Sequence, residues 1–127
     1  MQRSIWISAM LCIAVGCGKG GGAAAGGTDA VVDAWKKGGL EPSAFTVATT
    51  NVGKDCKSGT VNKVDVLVCT YASADEAKKA QDAGLQWVGD TTGASQAKGS
   101  LLISVADRRK ADPTGRTINQ MFKLAGN

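Results

Sequence analysis

A chain of 127 residues is the length of one modest domain, and its formal net charge of +4 suits an anionic partner or a solvated basic face that keeps the protein soluble. It contains no histidine. That excludes Ser-His-Asp and Cys-His nucleophile arrangements, His metal ligands and ordinary haem ligation together.

The chain opens Met1-Gln2-Arg3, a short positive segment, followed by the apolar run Ser4 to Val15 and then Gly16-Cys17. One charge, a short apolar stretch and small residues are the anatomy of a signal peptide. A membrane-spanning helix needs about 20 apolar residues, and Gly20-Gly21-Gly22 ends this run sooner. Ala14-Val15-Gly16-Cys17 resembles the lipobox of bacterial lipoproteins, with Ala14 where that family most often has Leu. The resemblance implies that residues 1–16 are removed. It implies that Cys17 is lipidated on sulfur, becomes the first mature residue, and anchors the chain to a membrane of the cell envelope. In such lipoproteins an Asp after the Cys commonly signals inner-membrane retention; Gly18 stands here, which points to the outer membrane. An ordinary signal peptide cut after Ala23-Ala24-Ala25 is the alternative.

On the lipobox resemblance, residues 17–28 are the lipidated Cys and a tether. Gly18 to Gly27 is Gly and Ala with a single Lys, a composition unable to bury enough apolar area to order itself. A single folded domain is expected over 29–127. With Cys12 in the leader and Cys17 carrying lipid, Cys56 and Cys69 remain as an even pair, read as one disulfide in an oxidising compartment. No metal site is expected, because nothing completes a two-Cys ligand set.

In chain order, Thr28 caps a first helix through Lys37, stopped by Gly38-Gly39, with Val31, Ala34 and Trp35 as its apolar stripe. Ala44 to Thr50 reads as a strand and Asn51 to Thr60 as a turn-rich connection carrying Cys56. Val61 to Tyr71 is the clearest strand; Val64, Val66 and Val68 share one face, Asp65, Leu67 and Cys69 the other. Ser73 and Glu76 form a capping box that opens a helix, with Gly84 as its stop. Leu85 to Val88 reads as short and extended. Gly89 to Gly99 reads as a loop or a poor strand turning into the buried strand Ser100 to Ala106. Asp112 and Pro113 are placed to start a last helix on Ile118, Met121, Phe122 and Ala125.

The resulting order, α-β-β-α-(β)-β-α, predicts an α+β fold. The expected form is a small two-layer sandwich: a three- or four-stranded, mostly antiparallel sheet with about three helices on one face, a ferredoxin-like variant being one form of it.

Two constellations could bind something. Arg108, Arg109, Lys110 and Arg116 surround the start of the last helix, where guanidinium groups and free backbone N–H groups can hold an anion or an acidic partner surface. Asp107 and Asp112 lie close enough in sequence to neutralise them, and a solvated basic face is the plainer reading of the same charges. Asp90, Thr91 and Thr92 sit between Gly89 and Gly93, as a polar binding loop or an ordinary turn. Trp87 borders that loop and is the aromatic residue least needed for a core.

The function expected is that of a membrane-anchored binding or interaction module without enzymatic activity. Its partners would be the membrane through Cys17 and an envelope protein or anionic envelope component, with no nucleic acid and no cofactor. A structural spacer of an envelope complex and a His-free hydrolase are the alternatives.

Overall fold

The computed structural model describes residues 27–126. The leader, the lipobox with Cys17 and the tether up to residue 26 lie outside the described residues. The elements are α1 (Thr28–Lys37), β1 (Thr46–Ala48), β2 (Asp55–Val61), β3 (Val64–Thr70), α2 (Ala74–Lys79), α3 (Gln81–Val88), β4 (Gly93–Lys98), β5 (Leu101–Ala106) and α4 (Arg116–Leu124).

The five strands form one sheet in the order β1-β2-β3-β5-β4, and every pairing is antiparallel. The fold is therefore α+β, as the sequence indicates, with one more strand and one more helix than expected. The extra strand is β2, which the sequence reads as loop. It pairs with β3 across a two-residue turn at Asn62-Lys63, both at positive φ (50° and 71°), as the twist of a tight hairpin requires. Cys56 and Cys69 face each other in this register, 4.0 Å apart at Cα, and form the expected disulfide.

The extra helix is α3. Ser73 caps α2 by accepting from the Glu76 N–H, as the capping box predicts. The helical path continues past Ala80 into α3, so Leu85 to Val88 is helical and not extended. Gly84 is no stop; it is buried in mid-helix against the sheet. A Cβ there would collide with Ser95 Oγ and Ser104 Oγ, which share a hydrogen bond of 3.1 Å.

Helices cover both sheet faces. On one face α1 and α4 pack Val31, Trp35, Ile118, Met121 and Phe122 onto Val64, Val66, Val68, Leu101, Ile103 and Val105. The fully buried Trp35 donates from Nε1 to the Met121 carbonyl (2.8 Å), tying α1 to α4. On the other face lie Leu67, Cys69 and Leu102, with Ala80, Ala83 and Trp87 of the α2–α3 region against them. The predicted split of β3 side chains between two faces is correct, but each face has its own helical layer. The stretch β3-α2-α3-β4-β5 is a split β-α-β unit, the part shared with a ferredoxin-like arrangement. The strand beyond β3 is its own hairpin partner β2, which departs from that arrangement.

Candidate functional site

The loop after β5 is wound around two buried carboxylates. Asp107 accepts from the backbone N–H groups of Ala111 (2.7 Å) and Asp112 (2.8 Å). Asp112 in turn accepts from Thr117 (3.2 Å) and Ile118 (2.9 Å), two of the free donors in the first turn of α4. Asp112 thus caps α4 as expected, but from further back. Gly115, at φ 74°, holds the N-cap position, and Pro113 stays outside the helix. With their oxygens engaged by backbone, Asp107 and Asp112 do not neutralise the neighbouring arginines.

Asp65 does. Arg109 reaches its Oδ1 at 2.7 Å and Arg108 its Oδ2 at 3.3 Å. Arg109 also donates to the Lys63 carbonyl (3.0 Å) and Arg108 to the Trp87 carbonyl (2.6 Å). The Arg108 guanidinium lies over the Trp87 ring, 4.5 Å from its centroid. Two members of the basic group are therefore clamps joining the loop after β5 to β3 and α3. Lys110, at φ 55°, and Arg116, at the start of α4, are exposed and make no ion pair among the described residues.

The two constellations flagged in the sequence meet. Asp90, Thr91 and Thr92 line a cleft of about 340 Å³ together with Asp107, Arg108, Lys110 and Pro113. The Thr92 carbonyl accepts from the Asp107 N–H (2.8 Å), which holds the two loops in register. Thr91 is occupied locally, its hydroxyl donating to the Val88 carbonyl at the end of α3 (2.8 Å). Arg109 and Arg116 are not among the lining residues. With Asp90 and Asp107 present and Arg108 paired to Asp65, the cleft carries mixed charge rather than a strong positive field.

A second cleft, of about 400 Å³, lies between the segment after β1 and the flank of α3 formed by Ala83, Gln86 and Trp87. Its lining is Thr49, Thr50, Asn51, Val52, Ala83, Gln86 and Trp87. Its outer wall is tied in place by one long-range contact and two local ones. Tyr71 donates to the Val52 carbonyl (2.6 Å), and burial raises its hydroxyl pKa above the ordinary 10.0. The Thr50 hydroxyl accepts from the Val52 N–H (3.1 Å) and lies 3.6 Å from Cys56 Sγ. Trp87 was legible as an aromatic residue near this region, although it packs partly against the second core and is not spare to it. Asn51 and Gln86 were not legible, because only the folding of one segment against α3 brings them together. Trp87 and Arg108, in contact with each other, each line one of the two clefts.

Comparison with protein-family models, with curated proteins and with solved structures finds no match to this chain.

Proposed function

We propose that this protein is a lipoprotein of the bacterial cell envelope, anchored through Cys17, whose folded domain is a non-catalytic binding module. The observation that carries the envelope reading is the disulfide. Cys56 and Cys69 pair across β2 and β3, and such bonds persist in oxidising, exported compartments. The Ala14-Val15-Gly16-Cys17 segment supplies the anchor, and the Gly/Ala tether the slack between bilayer and domain. Support for a binding role comes from the two clefts flanking the Trp87–Arg108 contact, a preformed concave surface of ligand-pocket size. The reading as a binder and not an enzyme rests on the chemistry of the chain, which has no histidine and keeps Cys56 and Cys69 in a disulfide.

Labelling with radioactive palmitate, followed by membrane fractionation, tests the anchor. Wild-type chain should incorporate label and sediment with membranes, while Cys17→Ala does neither. A mature N-terminus at Gln2 or Thr28 without diacylglycerol, or unchanged sedimentation of Cys17→Ala, would overturn the proposal.

A further inference from the structure

We infer that the groove between the segment after β1 and α3 binds a neutral oligosaccharide, with Trp87 as the stacking surface and Thr49, Asn51 and Gln86 as its hydrogen-bonding groups. This inference rests on the reading of the domain as a binding module. Its basis is the composition of the groove. No lining residue is ionisable, although the neighbouring cleft is rich in charge. A phosphate or carboxylate ligand would find no counter-charge in that lining. A wholly apolar ligand would strip water from amides and hydroxyls and leave them without partners.

A sugar ring satisfies both kinds of surface. Its C–H face packs on an indole, and its neighbouring hydroxyls pair with side chains that both donate and accept. Asn51 and Gln86 each offer two donors and an acceptor, and both are exposed on opposite walls of the groove. Thr49 is likewise exposed, whereas the Thr50 hydroxyl is already engaged by the Val52 N–H.

The stacking surface is held in place before any ligand arrives. Arg108, which does not line the groove, lies over one face of the Trp87 ring, grips the Trp87 carbonyl at 2.6 Å, and is itself held by Asp65 at 3.3 Å. Such preorganisation reduces the ordering cost of binding. Arg108 is a positioning residue here, acting through Trp87.

The test is a titration of the full chain in micelles of a zwitterionic detergent, since a glycoside detergent would compete for the groove. The probes are the tetramer of N-acetylglucosamine and cellotetraose, with a uronate tetramer for contrast. The readout is the indole N–H resonance of Trp87, with that of buried Trp35 as the internal control for folding. A neutral tetramer should shift the Trp87 resonance with half-saturation below about 1 mM. Gln86→Ala and Trp87→Ala should each weaken that binding about tenfold or more, the Trp35 resonance and the melting temperature reporting whether each variant folds. Because Gln86 is exposed, its variant keeps the test decisive if Trp87→Ala fails to fold. Arg108→Gln should broaden or move the Trp87 resonance, leave that of Trp35 in place, and lower saccharide affinity. No response to either neutral tetramer at about 10 mM, tighter binding of the uronate, or wild-type affinity in Gln86→Ala would overturn the inference. A chain that fails this titration while remaining lipidated at Cys17 would leave the envelope anchorage standing.

Discussion

Gly84 carries the tightest steric demand in the α2–α3 layer. Its missing Cβ lets α3 approach the Ser95–Ser104 pair on β4 and β5, with Leu102 also within reach. Gly84→Ala should therefore destabilise the fold, although alanine is the better helix former. Forcing a methyl group against two serines costs about 1–3 kcal/mol, and the gain in helix propensity offsets at most about 1 kcal/mol. A urea midpoint at or above wild type would refute this, and removing both hydroxyls (Ser95→Ala with Ser104→Ala) should reduce the cost. Tyr71 makes a demand of a different kind, because its hydroxyl must stay protonated to donate to Val52. Burial raises its folded pKa above 10.0, so above that pH the unfolded chain releases a proton that the folded chain retains. Its contribution is full below pH 10.0 and lost as pH rises through the folded value. As the chain's single tyrosine, it can be followed by phenolate absorbance alone. The folded protein should titrate later than the urea-unfolded one, and Tyr71→Phe should lose that part of the alkaline fall in stability.

At the scale of elements, the β2–β3 hairpin shows both what the disulfide contributes and where sequence reading stops. Closing a loop with a separation of 13 residues contributes about 3 kcal/mol in the chain-entropy picture. Replacing Cys56 and Cys69 together by Ala should lower the melting temperature by roughly 10–20 °C for a domain of this size. Both sulfurs are buried (2% and 0% residue exposure), so reductant should act only on molecules that open; brief treatment of native protein should leave its melting curve unchanged. The cysteine pair was legible by elimination, but the strand bearing Cys56 was not. Its sequence, Asp55 to Val61, lacks apolar alternation and holds Gly59, where a Cβ would press on Phe45 and Ser43. Gly84 misleads in the same way. Both glycines read locally as punctuation, while their actual role is close packing against residues distant in sequence. The elements read correctly, α4, β5, the core of β3 and α1 apart from its cap (Gly27 holds the N-cap position, and Thr28 is the first helical residue), bury apolar side chains in periodic or continuous runs. In the candidate site, the polar and basic loops were visible as separate segments. Their meeting in one cleft was not, and neither was Asp65 as the partner of Arg108 and Arg109, since those contacts depend on the sheet register.

Across the whole molecule, the sheet divides two cores of unequal strength. The face under α1 and α4 holds the large buried side chains, among them Trp35, Met121, Ile103 and Leu101. The face under α2 and α3 is covered mostly by small ones: α2 buries Ala77 alone, and α3 buries Gly84 and Val88. Burial free energy scales with apolar area, so the α2–α3 layer is held less tightly than the strands beneath it. Native-state hydrogen exchange should resolve the difference. Amides of α2 should exchange by local opening at a small fraction of the global unfolding free energy. Those of β3 and β5, central strands that are buried almost throughout, should exchange only with complete unfolding. Equal protection of α2 and β5 would contradict this division. The proposed groove adds a second expectation, because one wall of it is α3 and the other is a segment pinned through Tyr71 to the far end of β3. A ligand seated there bridges the less stable layer to the more stable one. Saturating saccharide should therefore slow exchange in α3 more than in α4, on the opposite face, whereas uniform slowing would mean that binding stabilises only the global fold.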